Sequence, residues 1–174
     1  MNRITDNILY KVEKPARYIG GELNEIIKDL DDIDIHFAFC FPDVYEVGMS
    51  HLGTRILYHT INQREDTYCE RVFAPWPDME EQLRKNNISL YSLETKTPLK
   101  EFNIIGFTLQ YEMSYTNILN MLDMSKIPFR ASERGENDPI IMAGGPCAYN
   151  PEPLTEIIDF FELGEGEEMM NDVL

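Results

Sequence analysis

Ile33-Asp34-Ile35-His36-Phe37-Ala38-Phe39-Cys40-Phe41 sets the architecture of this chain. Large apolar groups stand at every odd position, the period of two that a β-strand imposes because successive side chains leave by opposite faces. Near the end of the run Ala38 and Cys40 are small enough to bury the other face as well, as in the centre of a parallel sheet. This is therefore the expected central strand. Beyond it, Pro42 to Val47 reads as a loop, and Ser50 to Asn62 as a helix with Leu52, Ile56 and Leu57 inward. A strand near Arg71 to Phe73 follows, then Trp76-Pro77 and a helix opened by Asp78 with Glu81 three residues on, a capping-box pattern.

Farther along, a short strand is expected at Ser89 to Ser92 and a buried one at Asn103 to Leu109, with Ser114 as the N-cap of a helix carrying Ile118, Leu119 and Leu122. After a loop from Glu133 to Pro139, two apolar runs end in glycines: Ile140-Ile141-Met142 leads into Ala143-Gly144-Gly145-Pro146, and Phe160-Phe161-Glu162-Leu163 into Gly164-Glu165-Gly166-Glu167-Glu168. Strands alternating with helices at this spacing specify a mostly parallel sheet covered on both faces, an α/β fold of the open, doubly wound kind. Residues 1–31 fall outside that rhythm. Their Pro15 break, Tyr18-Ile19-Gly20-Gly21 turn and expected helix from Glu22 to Leu30 read as an N-terminal extension packed on an α/β domain of residues 32–174. A helical pattern begins at Glu167 just before Val173-Leu174, so the chain reads as the front part of a longer polypeptide.

A length of 174 residues suffices for one real core. With 15 Lys+Arg against 31 Asp+Glu the net charge is −16, the wrong sign for a phosphate-binding surface, which excludes direct nucleic-acid binding as an expectation. No apolar run reaches the roughly 18 residues of a membrane span, and Met1-Asn2-Arg3-Ile4-Thr5-Asp6 lacks the apolar core of a signal peptide. Cys40, Cys69 and Cys147 are widely spaced with no C-x-x-C pair, which fits reduced thiols in a cytoplasmic protein better than a disulfide framework or metal clip. His36, His51 and His59 share no ligand-like spacing either.

In open α/β sheets ligands lie beyond the carboxyl ends of the strands, so the candidate lining comes from Pro42 to Gly48, Thr108 to Glu112 and the two glycine turns. Asp43, Tyr45 and Gly48 offer an acceptor, a polar aromatic and a close-approach glycine; the alternative is an ordinary βα turn with Asp43 in a local cap. Thr108 can hydrogen-bond a ligand tail, or simply end a strand as β-branched residues do. Gly144-Gly145 is more specific, since two successive glycines clear both side chains from a strand end. The Gly164 to Glu167 repeat is negative, disfavouring phosphate and suiting helix capping or an interdomain contact. No Walker loop, G-x-G-x-x-G turn or nucleophile elbow occurs, and Cys147 has no identifiable base beside it, so catalytic residues are not expected in this segment.

The Gly144-Gly145-Pro146 turn, Asn150-Pro151-Glu152-Pro153-Leu154 and the Gly164-Glu165-Gly166-Glu167 ending resemble the cobalamin-binding-like domain that precedes the catalytic barrel in B12-dependent radical SAM proteins. Residues 14–22 (KPARYIGGE), 42–50 (PDVYEVGMS) and 106–112 (GFTLQYE) narrow the resemblance to a bacterial subgroup, and it covers nearly the whole chain. It implies a flavodoxin-like open sheet and a possible cobalamin site. In the wider cobalamin-binding fold a D-x-H-x-x-G element, an S-x-L and a Gly-Gly hold the cofactor. Asp43-Val44-Tyr45-Glu46-Val47-Gly48 fits the first frame with Tyr45 in the histidine position, Thr108-Leu109-Gln110 matches the second at its hydroxyl, and Gly144-Gly145 matches the third. A phenol of pKa about 10 replaces imidazole poorly as a ligand, so cobalt ligation by a protein histidine is not expected. The C-x-x-x-C-x-x-C motif for the 4Fe-4S cluster that cleaves S-adenosylmethionine is absent, so cluster, S-adenosylmethionine and catalysis are expected in a downstream radical SAM domain of the same polypeptide. The resemblance thus implies an accessory domain that positions a corrinoid or substrate for that barrel. Its rival is a domain that has kept the fold, lost the cofactor and serves only for docking.

Overall fold

The computed structural model describes residues 6–174; Met1 to Thr5, the first part of the stretch without signal-peptide character, lie outside the described residues. After a helical turn, α1 (Asp6–Leu9), and a 3-10 turn at Pro15–Tyr18, the chain enters β1 (Ile35–Phe41). The sheet is completed by β2 (Thr67–Phe73), β3 (Ile104–Thr108), β4 (Ile140–Gly144) and β5 (Phe160–Phe161). The five strands lie in the order β2-β1-β3-β4-β5, and every pairing is parallel. The chain steps from β1 to β2 on one side and then returns across β1 to β3, so the topological switch, where open sheets bind ligands, falls between β1 and β3.

Alternation along β1 is what makes the domain three-layered. Phe37 and Phe39 face one side, where they pack with Tyr58 and Ile61 of α3 (Leu52–Asn62) and Met170 of α6 (Gly166–Val173). Ala38 and Cys40 face the other, against Met79 and Leu83 of α4 (Pro77–Lys85) and Ile118, Met121 and Leu122 of α5 (Tyr115–Met124). Each fully buried large side chain contributes about 1.5–3 kcal/mol, so both layers are held chiefly by this alternation. An open, doubly wound α/β sheet is thus the observed architecture.

Several local expectations are corrected. The stretch 42–47 is not all loop: α2 (Tyr45–Ser50) starts inside it, and Ser50 Oγ donates back to the Glu46 carbonyl at 2.6 Å. On α3 the inward stripe is Thr54, Tyr58 and Ile61, while Leu52 is 66% exposed and Ile56 is also at the surface. The helix is rotated because the Tyr58 hydroxyl accepts the Ile26 N–H at 2.8 Å. The same tertiary bonds prevent the helix expected from Glu22 to Leu30: Ile26 gives its carbonyl to the Tyr68 hydroxyl at 3.0 Å, leaving that backbone engaged outside any helical ladder. No capping box forms at α4, whose N-cap is Trp76 with Pro77 at the first position; Asp78 instead accepts the Met79 and Glu13 N–H groups. Ser114 stands at the N-cap of α5 but donates to the Tyr111 carbonyl. Ser89 to Ser92 forms no strand, only a single antiparallel bridge between Tyr91 and Pro98. Finally, β2 begins four residues earlier than expected and β5 spans only two. No helix of the described residues is long and apolar enough to cross a membrane.

Candidate functional site

A cavity of about 120 Å³ opens where the carboxyl ends of β1, β3 and β4 meet α3 and α6. Phe37, Phe39 and Met142 form its apolar base, with Leu57 and Met170 from the covering helices. Six of the chain's 10 glycines line it, among them Gly53, Gly106, Gly164 and Gly166; at Gly106 a Cβ would strike the Phe37 ring of the cavity base, and at Gly166 it would crowd Leu57. Gly145 has φ +101°, a left-handed backbone that side-chain-bearing residues avoid. That turn lets the Gly144 carbonyl accept the Leu109 N–H at 2.7 Å, tying the end of β4 to the end of β3.

Of the six residues expected to bind a cofactor, Thr108, Gly144 and Gly145 lie together in this cavity. Asp43, Tyr45 and Gly48 do not line it. Asp43 accepts the Val44 N–H at 2.7 Å and the Tyr111 hydroxyl at 3.1 Å, a strap between the loops after β1 and β3. Tyr45 turns toward the segment before β1, donating to Glu22 at 3.0 Å and meeting Phe73 edge-on. Burial, with Glu22 alongside, pushes its phenol up to about 12. Gly48 packs under Phe73 so closely that a Cβ would strike the ring, which accounts for glycine there by helix-to-strand contact.

Three further polar residues line the cavity, of which Gln110 lies within the expected lining from Thr108 to Glu112, while His51 and Glu162 were not singled out as ligand-binding candidates. Gln110 donates to the Thr108 hydroxyl at 2.6 Å, occupying the strand-end group. His51 caps α3, its Nδ1 accepting the Thr54 N–H at 3.2 Å, and its ring tilts against Phe41. Glu162, just beyond β5, is 6% exposed; its Oε1 is buried without a hydrogen-bond partner among the described residues, and burial lifts its carboxyl above the usual range. The signal for Glu162 was available as a charge inside the apolar run Phe160-Phe161-Glu162-Leu163.

A second polar cluster sits on the β2 side of the sheet, away from the cavity. Arg71 is paired with Glu94 at 2.6 Å and Glu22 at 3.2 Å, and lies over the Tyr58 ring at 4.5 Å. Nearby, His36 meets Glu70 at 2.5 Å. Since Glu22 joins both Tyr45 and Arg71, this cluster ties the segment before β1 to the sheet. Cys40 and Cys69 are fully buried, which pushes both thiols up, and no group of three or more His, Cys, Asp or Glu is placed to hold a metal among the described residues.

Residues 53–174 match the family described as radical SAM proteins, N-terminal. An uncharacterized protein of Methanocaldococcus jannaschii is 29% identical over 143 residues, which cover 79% of this chain. The chain spans 26% of that relative's length over this match.

Proposed function

Because the chain belongs to the family of radical SAM N-terminal domains, we propose that it seats the ring-bearing tail of a corrinoid, with cobalamin as the candidate, for an iron-sulfur barrel elsewhere in the polypeptide. In this reading the 4Fe-4S cluster and S-adenosylmethionine belong to that barrel, the domain's partner, and the corrinoid or a substrate is what the domain presents to it. The observation that carries the proposal is the glycine-walled cavity at the carboxyl edge, beside the topological switch.

The residues fit part of the cofactor. Gly144 and Gly145 give backbone access, and Phe37, Phe39 and Met142 give apolar surface for a flat ring. They do not favour cobalt ligation through the D-x-H-x-x-G frame, because Tyr45 is bonded to Glu22 outside the cavity. Bound cobalamin would supply methyl-transfer or redox chemistry; the domain's part is to hold and orient it. Titration with cyanocobalamin and with dicyanocobinamide, which lacks the nucleotide tail, tests this through the visible spectrum. Binding of the first and weaker binding of the second is expected; no binding of cyanocobalamin defeats the proposal.

A docking-only role is the second reading. It is favoured by exposed apolar groups on loops after successive strands: Met113 at 82% and Tyr149 at 72% exposure, with Tyr111 and Leu163. Such an edge suits a protein contact. In that case cobalamin leaves the spectrum unchanged, and Met113→Ser with Tyr149→Ser weakens association with the barrel.

A further inference from the structure

Among the polar residues of the cavity, Glu162 is the one whose side chain makes no hydrogen bond among the described residues. Thr108 already accepts from Gln110, and His51 is committed to the cap of α3. Glu162 is more than nine-tenths buried; its Oε1 is sealed from solvent, so the oxygen a ligand in the cavity would meet is Oε2, which makes no hydrogen bond among the described residues and lies 3.4 Å from where a Cβ on Gly144 would stand. A buried polar group left unsatisfied costs about 1–3 kcal/mol, whereas an apolar residue would fit the run Phe160-Phe161-Glu162-Leu163 at no such penalty. A carboxyl kept at that position, in the wall of an open cavity, is suited to a ligand atom.

We propose that Glu162 is the recognition group of this cavity, and that it takes a planar ring carrying a hydrogen-bond-accepting nitrogen. Burial favours the neutral carboxyl. A neutral carboxyl has one O–H to donate, and that donor needs an acceptor. Size and shape point the same way: an apolar cavity of roughly 150 Å³ admits benzene, so about 120 Å³ with an open mouth takes one flat ring and leaves the rest of the ligand outside. Gly144 and Gly145 line the same cavity, so that part of its wall is backbone. This inference rests on the cofactor-pocket reading and narrows it, since the inserted end of the tail must present a ring nitrogen to Glu162.

The test compares 1-methylbenzimidazole with 1-methylindole, two rings of one shape of which only the first has an acceptor nitrogen, and adds benzamidine as a cation. Binding to the purified protein is followed by ligand-observed nuclear magnetic resonance. Wild type should hold 1-methylbenzimidazole about tenfold tighter than 1-methylindole, the ratio one net hydrogen bond gives. Glu162→Leu should abolish the difference, and Glu162→Gln, which keeps a donor, should retain most of it. Equal binding of the two rings by wild type overturns the role of Glu162 while leaving the pocket standing. Preference for benzamidine overturns it in favour of a charge pair. Binding of neither ring by folded protein overturns both this inference and the pocket itself.

Discussion

His51 Nδ1 accepts the backbone N–H of Thr54 at 3.2 Å, and this one bond fixes what the imidazole can offer the cavity. A ring nitrogen that accepts carries no proton, so in the neutral ring the proton sits on Nε2. Metal ligation through Nε2 would move that proton to Nδ1 and break the cap, a loss of about 1 kcal/mol. Electron paramagnetic resonance of the Co(II) form of bound cobalamin is therefore expected to show no splitting from a protein imidazole. A splitting that vanishes in His51→Ala would place the histidine on the metal and refute this account.

Gly144 and Gly145 should respond differently to substitution. A Cβ on Gly145 would sit 3.1 Å from the Leu109 carbonyl in a left-handed backbone, so Gly145→Val should lose roughly 1–3 kcal/mol of stability. A Cβ on Gly144 meets only Glu162, with Oε2 nearest at 3.4 Å and the Cβ and carbonyl oxygen at 3.6 and 3.7 Å. Gly144→Ala should thus fold normally yet bind cyanocobalamin more weakly, as spectral titration would read. Unchanged affinity in that variant would remove the tail from this cavity.

Removing Arg71 leaves Glu94 buried without its cation. Arg71→Met should destabilise the domain by about 3–5 kcal/mol, and Arg71→Met with Glu94→Leu should recover much of that loss. Urea denaturation of the two variants checks this; a double variant no more stable than the single one would show that the pair is not the source of the effect.

Glu162 gives a pH dependence of defined sign. Its folded-state affinity for a proton is raised by burial, so as pH climbs through the carboxyl range the unfolded chain ionises first and native stability falls. Glu162→Gln has no such proton. The variant should gain stability over wild type as pH rises from the ordinary carboxyl value of about 4.3 toward neutrality, measured by urea midpoints. A gap that stays constant over that range would mean the carboxyl is not held neutral.

The buried thiols bear on cluster chemistry. Cys40 and Cys69 lie inside the two core layers and resist ionisation, while an iron-sulfur cluster needs thiolates. Anaerobic reconstitution of this chain with iron and sulfide, followed by S-adenosylmethionine and dithionite, should give no 5′-deoxyadenosine above a protein-free control. Product that depends on these cysteines would contradict the assignment of that chemistry to a separate barrel.

The fold was written in local patterns. Alternation from Ile33 to Phe41 specified a strand buried on both faces, and the spacing of apolar runs specified parallel strands with helical crossovers. Where the sequence misled, a long-range bond had claimed the local backbone: Tyr58 and Tyr68 hold Ile26 in a non-helical segment, though the stretch from Glu22 to Leu30 has helical periodicity. The candidate site was half legible for the same reason. Gly144, Gly145 and Thr108 announce themselves because strand-end glycines and hydroxyls are local signals.

By itself, then, the amino-acid sequence determined the layered α/β sheet and the edge at which Thr108, Gly144 and Gly145 gather, because strand period, helix period and glycine turns are properties of neighbouring residues. Only the tertiary structure decided which side chains share that edge. Tyr45 is drawn away by Glu22, which lies 23 positions earlier, and Glu162 is brought to Gly144 by the parallel pairing of β4 with β5. Such meetings depend on how separate elements pack, and no local pattern encodes them.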